Sequence, residues 1–379
     1  MISMHSGRPR RDVDPPGGSG VIDFEPTEEQ QLIVETVRQF AESEIRPLAR
    51  AANEAGKLPD ALLSQAHELG LVANAIDEGF GGGGERSAIT GVLVAEELAW
   101  GDLSIALAIL SPSLTAFPVQ DHGSDAQKQD LLPGLTGGQF VPGALAVVEP
   151  RFDSDPFRPS TTARRDADDW VIDGAKCFVP WIDGGATVLV SAAADDGAGI
   201  FVVPRNAKGL TAESEQNMGI DALPTAELSF EAVRIPSSAR VEGADLAGLV
   251  HRGRVGLAAM AVGVARAAFE ISRDYAKERE AFGSPIATKQ AIAFKLADMA
   301  IEIDGARLLI WEAAWLFDQG RDATRAATLA YQQASKVALD VADAAVQVLG
   351  GHGYIRDYLP EMHLRNARGF ASFEALTLV

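Results

Sequence analysis

The chain has 379 residues, and 47% of them are hydrophobic, so it is long enough to form two or three domains around sizeable cores. It carries 53 acidic against 33 basic residues, a formal net charge of -20. This acidic balance would repel nucleic acid and anionic membrane surfaces, so neither is expected as a partner.

Cysteine content and the N-terminal residues bear on the cellular compartment. The single cysteine, Cys177, allows no intramolecular disulfide, which suits a reducing cytoplasm. No apolar run of membrane-spanning length is expected. Residues 1–22 lack the apolar core of a signal peptide and are predicted to form a disordered tail. These features together predict a cytoplasmic protein.

Helical patterns dominate residues 23–140. Thr27 and Gln30 have the spacing of a capping box, which predicts a helix running to about Ile45. Residues 77–84 are rich in glycine and are predicted to form a loop. Further helices are predicted at residues 59–69, 87–99, 103–120 and 126–132. The first domain is therefore predicted to be all α.

Short β-type runs separated by proline and glycine fill residues 141–248. Ala226, Leu228 and Phe230 alternate with polar residues, the period of a half-buried strand. Strands are predicted at residues 144–148, 169–172, 187–191, 199–203 and 226–230. This middle domain is predicted to be a small antiparallel barrel or sandwich.

Residues 249–379 are predicted to be helical again. After Pro285, apolar residues recur at spacings of three and four, which predicts a long helix packed in an antiparallel bundle. Its seam comprises Ile292, Leu296, Met299, Ile303, Ala306, Ile310, Ala313 and Phe317. Gly320 is predicted to end this helix, and a second long helix is predicted at residues 323–349.

Few residues carry an obvious chemical signature. No histidine has a metal-ligand spacing, and no phosphate-binding loop or GxGxxG turn follows a strand, so no metal site and no Rossmann-type site is predicted. Arg279, at a helix end before Phe282 and Gly283, offers a cation and exposed backbone to a pyrophosphate. Gly350 and Gly351 would let a cofactor approach the backbone closely.

Each of these residues also has an ordinary structural interpretation. Arg279 could be a surface ion-pair partner, Gly350 and Gly351 could form only a helix C-cap, and Glu374 could be a solvated carboxylate near the chain end. Taken singly, the structural interpretation is favoured. The order and spacing of the motifs favour the functional one.

At this point the sequence resembles the acyl-CoA dehydrogenase family, from about Thr27 to the last residue. The likeness rests on several motifs together, which is more specific than any one of them. They are residues 79–82, 95–99, 149–150, 154–155, 173–176, 282–283 and 347–351, together with Arg279 and Gln290.

The resemblance implies an N-terminal helical domain, a β domain and a C-terminal four-helix domain, with FAD extended between the β domain and the C-terminal helices. It implies oligomers, dimers or tetramers, in which one subunit completes the FAD site of another. The cofactor-binding residues it implies are Ser154, Phe178, Arg279, Phe282, Gln290, Gln347, Gly350 and Gly351.

The reaction implied by the resemblance is α,β-dehydrogenation of an acyl-CoA thioester. Glu374 matches the family's base, which removes the α-proton while the β-hydrogen leaves as hydride to the flavin N5. Its pKa is expected to be raised by burial. Arg254 matches a residue near the CoA, and an electron-transfer flavoprotein is the implied acceptor. An acyl carrier protein could replace CoA, and the acyl group cannot be derived from the sequence.

Several residues depart from the family pattern. Val148 replaces a flavin-bonding threonine, Pro180 replaces another, and the loop after the base reads Ala375-Leu376 instead of glycine-threonine. The family's last helix is expected to be missing, since the chain stops at Val379. These departures leave two alternatives open: a non-catalytic or half-site subunit of a hetero-oligomer, and a flavin oxidase or monooxygenase on the same fold.

Overall fold

The computed structural model describes residues 25–379, so the predicted tail at residues 1–22 lies outside the described part of the chain. A helical region comes first, a mostly antiparallel sheet follows, and a second helical region completes the chain. The fold class predicted from the sequence is confirmed.

The N-terminal region begins with the predicted capping box: the Thr27 side chain accepts from the Gln30 backbone, and the Gln30 side chain accepts from the Thr27 backbone. One π-helical turn, Ala41–Ile45, joins the first two helices. The predicted helix at 103–120 is divided around Pro112. The α-helices are α1 (Glu28–Phe40), α2 (Arg46–Ala55), α3 (Asp60–Glu68), α4 (Ala88–Gly101), α5 (Leu103–Leu110), α6 (Ser113–His122) and α7 (Asp125–Thr136).

The middle region forms one sheet in the order β6-β7-β3-β2-β4-β5-β8, with β1 paired to β4. Most pairs are antiparallel, as predicted, but β1 and β2 each run parallel to β4. The strands are β1 (Leu145–Ala146), β2 (Thr162–Asp166), β3 (Asp169–Pro180), β4 (Thr187–Ala194), β5 (Gly197–Pro204), β6 (Leu210–Ser214), β7 (Thr225–Pro236) and β8 (Arg240–Val241). β2, β6 and β8 were not predicted.

The C-terminal region is built on three long helices. The predicted seam is confirmed, because Met299, Ile303, Ala306, Ile310 and Ala313 are buried along one face of α9. A short hairpin separates α8 from α9. The elements are α8 (Leu246–Glu278), β9 (Glu280–Ala281), β10 (Ser284–Pro285), α9 (Gln290–Asp318), α10 (Thr324–Leu349), α11 (Gly351–Tyr354) and α12 (Pro360–Gly369).

Two helical stretches have the length and mean hydropathy of a membrane span, contrary to the sequence-based expectation. They are residues 103–122, whose most apolar window is 94% buried, and α8, whose window is 78% buried. Both pack against other helices of the same chain, so their apolar side chains belong to the protein core.

A buried ion network ties α4 to the helices around it. Glu97 pairs with Arg266 of α8 and with Arg38 of α1. Its neighbour Glu96 pairs with Arg266 and with Arg307 of α9. Because both carboxylates are almost fully buried, their partners must stay in place to offset desolvation. The network therefore fixes α8, which carries Arg254.

Candidate active site

Glu374 and Arg254 form an ion pair where α8 meets the segment that follows α12. Arg254 Nη2 lies 2.6 Å from Glu374 Oε1, and Arg254 Nε lies 3.1 Å from both carboxylate oxygens. Each side chain is 14% exposed. The two residues that the sequence assigned to base and substrate binding are therefore in direct contact.

Burial raises the pKa of the Glu374 carboxyl, and the hydrogen bonds and charge of Arg254 oppose this rise without cancelling it. A carboxylate whose pKa is raised is a stronger proton acceptor than one in water. Arg254 keeps the ionised form accessible. The pair thus has the electrostatics of a general base.

Aromatic side chains lie around Glu374. Phe373 is buried, and its ring centroid lies 6.3 Å from that of Phe178 in an edge-to-face arrangement. Tyr331 of α10 places its hydroxyl 2.5 Å from the carbonyl oxygen of Phe370 and also contacts the carbonyl oxygen of Phe373. These contacts hold the chain just before Glu374 and keep its surroundings apolar.

The turn after Glu374 bears on two features of the sequence, the alanine at position 375 and the glycine at position 253. Ala375 has a φ of +51°, a left-handed conformation that glycine adopts without strain. The departure from glycine here therefore leaves the backbone shape intact. On α8, a Cβ added to Gly253 would lie 3.0 Å from Ala375 Cα, so a larger side chain before Arg254 would displace this turn.

A buried ion pair organises the loop that carries Ser154. Lys176 Nζ lies 3.0 Å from Glu149 Oε1 and donates to Val147 O and Ser191 Oγ. Glu149 also accepts the backbone N–H groups of residues 160 and 161, while its own N–H donates to Ser154 Oγ at 3.1 Å. The hydroxyl of Ser154 is half-buried at the surface of this loop.

The ionisation of this pair follows from its surroundings. Burial would raise the pKa of Glu149, but the N–H of Thr161, the charge of Lys176 and the N–H of Ser160 outweigh it and hold the pKa at about 2. Burial lowers the pKa of Lys176 to about 8. Sequence reasoning used both residues only as family motifs and did not predict their contact.

Phe178 lies at the end of the sheet that faces the base. Its φ is +55°, and its backbone N–H donates to the carboxylate of Glu215. Pro180 is buried and paired with Thr225, so neither its side chain nor its backbone offers a donor. Val148 supplies no hydroxyl either. The surface formed by Val148, Phe178 and Pro180 therefore offers an aromatic ring but no side-chain hydrogen-bond donor.

The other predicted cofactor residues gather at the opposite end of the helical region. Hydrogen bonding between Tyr275 Oη and His352 Nδ1, 2.7 Å apart, joins the end of α8 to α11 there. The exposed residues at this end are Arg279, Phe282, Gln290, Gln347, Gly350 and Gly351. Phe282 is 96% exposed. The rise of an α-helix places Arg279 about 37 Å along α8 from Arg254.

This second cluster fits a phosphate-bearing ligand. Arg279 makes no ion pair with any residue in the described range 25–379. A Cβ added at Gly350 or Gly351 would meet nothing within 4 Å, so the backbone here is open to close approach. The structure thus keeps Glu374, Arg254, Phe178 and Ser154 in one region and the remaining predicted residues in another.

The fold defines a class of protein: an enzyme of helical, sheet and helical regions, here with a largely buried carboxylate paired to an arginine. Family models for the N-terminal, middle and C-terminal domains of acyl-CoA dehydrogenase match residues 27–139, 144–233 and 245–374. The chain belongs to the acyl-CoA dehydrogenase family of flavoprotein oxidoreductases, which use FAD.

Individual relatives agree with this assignment. The mitochondrial short-chain specific acyl-CoA dehydrogenase of Bos taurus is 36% identical over 353 residues, covering 90% of this chain and 85% of that protein. The structure of butyryl-CoA dehydrogenase from Megasphaera elsdenii has a TM-score of 0.85 at 31% identity, covering 93% and 96% of the two chains. A glutaryl-CoA dehydrogenase from Mycobacterium smegmatis in complex with FADH2 has a TM-score of 0.84 at 28% identity, covering 91% and 90%.

Proposed function

We propose that this chain dehydrogenates an acyl-CoA thioester between its α and β carbons, with Glu374 as the base that removes the α-proton. The observation that carries the proposal is the environment of Glu374: its side chain is only 14% exposed, its pKa is raised by burial, and it pairs with Arg254 at 2.6 Å. A carboxylate in this state is suited to accept a proton from carbon in a site that excludes water.

Arg254 supports the base in two ways. Its charge offsets part of the cost of burying the Glu374 carboxylate and so favours the ionised form of the base. Its contact with both carboxylate oxygens restrains the direction in which the base points. Phe157 lies over the Arg254 guanidinium, 4.9 Å from ring centroid to Cζ, and keeps the arginine in place.

FAD is the cofactor that the family and the residues support, and it supplies the acceptor for the β-hydrogen when bound. Ser154 would offer a hydroxyl and Phe178 an aromatic face on the side of the base. Arg279, Gln290, Gln347 and the open backbone at Gly350 would hold the pyrophosphate and adenosine portions, with Phe282 and Gly351 beside them.

The distance between the two clusters supports an oligomer. About 37 Å along α8 separates Arg254 from Arg279, longer than one extended dinucleotide bound at both. We therefore infer that Arg279 and its neighbours serve the FAD of another subunit in a dimer or tetramer. Exposed apolar side chains on α9 at Phe294, Ile301 and Leu308 recur every seven residues, as at a helix-packing surface.

The substrate and acceptor follow from the family. Because the similar proteins include a short-chain enzyme and a butyryl-CoA dehydrogenase, short acyl-CoA thioesters are the first candidates. An acyl carrier protein thioester is the alternative form of the substrate. An electron-transfer flavoprotein is the proposed electron acceptor, and a cytoplasmic location stays a prediction.

A second candidate is a subunit that donates the Arg279 cluster to a partner while its own site is inactive. The lack of side-chain hydroxyls at Val148 and Pro180, and the use of the Phe178 N–H by Glu215, favour it. The intact pair of Glu374 and Arg254 favours the active enzyme. A flavin oxidase on the same fold is a further alternative, and oxygen consumption without another acceptor would identify it.

The test is to purify the chain expressed alone, measure its visible spectrum and FAD content, and add butyryl-CoA without oxygen. The proposal predicts stoichiometric FAD and rapid bleaching of its absorbance near 450 nm. A folded, colourless protein that gains FAD only with a second chain would instead establish the donor-subunit function.

A further inference from the structure

Residues 375–379 follow the base directly and form a short segment, which we call the latch. All five side chains are buried, with exposures of 3% or less. The latch lies in a groove formed by α4, α6 and α8, and its backbone crosses α8 one residue before Arg254. Such complete burial of an irregular segment requires specific contacts on each side.

We propose that the latch positions the Glu374 carboxylate, and that Gly253, Gly256 and Arg252 of α8 are the residues that hold the latch. The proposal deepens the proposed function, since it rests on Glu374 being the base. It assigns a role in catalysis to residues that touch neither the substrate nor the cofactor.

Three glycines shape the groove for the latch. A Cβ on Gly253 would lie 3.0 Å from Ala375 Cα and 3.3 Å from Ala375 N. A Cβ on Gly256 would lie 2.8 Å from Thr377 Cγ2, and one on Gly91 of α4 would lie 3.2 Å from Val379 Cβ. A side chain at any of these positions would require the latch to shift, so the three glycines allow the latch to lie this close to α4 and α8.

Polar contacts secure the far end of the latch. Arg252 Nη1 donates to the Val379 backbone oxygen at 2.9 Å, and the Leu378 N–H donates to Ser113 Oγ at 3.2 Å. Arg252 is itself held over the ring of Phe317, 4.5 Å from Cζ to the centroid. The latch is thus tied to α6 and α8 on one side of the base, while Tyr331 holds the other side.

A cavity of about 660 Å³ lies beside the far end of the latch and is lined by Leu378, Val379, Val94 and Phe117 among others. Because α8 is a packed helix and the latch is an irregular segment with open space at its far end, pressure from α8 is expected to move the latch and not the helix. A side chain added at Gly253 is therefore expected to displace Ala375 by a few tenths of an ångström and to carry Glu374 with it.

The test compares Gly253→Ala and Arg252→Met with two controls on the same helix, Gly248→Ala and Arg273→Met. An added Cβ at Gly248 would meet only the flexible side chain of Asp245, and Arg273 pairs with Asp274 at the surface. FAD-loaded enzymes are compared for kcat, KM, FAD content and the pH dependence of kcat/KM.

Displacing a base is expected to lower kcat by about 10-fold to 100-fold in Gly253→Ala and Arg252→Met, since small misplacements cost that much. KM and FAD content stay within about twofold of wild type, and Arg252→Lys restores part of kcat. The acid limb of kcat/KM moves to lower pH in Gly253→Ala, because a displaced Glu374 loses burial and its pKa falls. The controls keep the wild-type profile.

The outcomes separate this proposal from the proposed function. If Glu374→Gln is inactive while Gly253→Ala and Arg252→Met keep full kcat and an unshifted profile, the latch has no positioning role and the function stands. If Glu374→Gln keeps full activity, Glu374 is not the base and both proposals are wrong. If Gly253→Ala fails to fold, the comparison of Arg252→Met with Arg252→Lys decides whether the latch positions Glu374.

Discussion

Replacing Lys176 with methionine tests the ion pair that organises the loop carrying Ser154. Lys176 is fully buried and Glu149 is 5% exposed, so Lys176→Met leaves a buried carboxylate without its countercharge. It also removes the bonds from Lys176 to Val147 O and Ser191 Oγ. Breaking one side of a buried pair costs about 3–5 kcal/mol. With an unfolding entropy of about 2.1 cal/mol/K per residue, this lowers the Tm of a 379-residue chain by roughly 4–6 °C.

The double variant Lys176→Met/Glu149→Gln provides the control, since it removes the uncompensated charge. It is expected to recover part of the lost stability, giving a coupling energy above about 1 kcal/mol in a double-mutant cycle. Urea unfolding of wild type, Lys176→Met, Glu149→Gln and the double variant measures this coupling energy. Equal stability of Lys176→Met and wild type, or strictly additive losses, would refute the account of the pair.

The same ion pair predicts that the free energy of unfolding falls at acidic pH. The folded-state pKa of Glu149 is about 2, depressed from 4.5, so its contribution is complete above about pH 4.5 and is lost as pH falls toward 2. Wild type is therefore expected to lose stability more steeply over this range than Lys176→Met/Glu149→Gln. If the free energy of unfolding of the two proteins fell in parallel between pH 5 and pH 2, the predicted contribution of Glu149 would be contradicted.

Three further predictions concern other sites. Arg254→Gln removes a charge that lowers the pKa of Glu374, so the acid limb of kcat/KM moves to higher pH; an unshifted limb contradicts the pairing. Asp102 is fully buried, and burial raises its pKa from 3.8 to about 6. Asp102→Asn is therefore expected to stabilise the protein by about 2–3 kcal/mol at pH 7, an advantage that shrinks as pH falls toward 4 and that thermal unfolding measures. Mixed oligomers of Arg279→Gln and Glu374→Gln chains should regain activity that neither variant has alone, because one intact site forms; no recovery would place Arg279 outside the partner's FAD site.

Elements with strong periodicity were predictable from the sequence. The seam of α9 has apolar residues at helical spacing, and burial on one face is its direct consequence. The strands β2 and β6 were missed because most of their residues are exposed, so no alternation of apolar and polar residues marks them. Their pairing depends on neighbours distant in sequence. The division into domains at residues 140 and 248 stays a prediction.

The site was predictable only through its motifs. The family resemblance singled out Glu374, and the structure brings it to Arg254, 120 residues earlier in the chain. No local pattern could show that Lys176 meets Glu149, because a buried ion pair between separate segments is set by tertiary packing. Gly253 carries no sequence signal of its own, being one glycine within a predicted helical region. Its close approach to Ala375 required the three-dimensional structure.

The central claim is that Glu374 removes the α-proton, and a single-turnover experiment tests it directly. FAD-loaded wild type and Glu374→Gln are mixed with butyryl-CoA without oxygen, and flavin absorbance is followed in a stopped-flow instrument. General base catalysis typically contributes about 10²–10⁴-fold, so Glu374→Gln is expected to reduce its flavin at least 100 times more slowly while keeping wild-type FAD content. Reduction of the Glu374→Gln flavin at the wild-type rate would show that another group takes the proton.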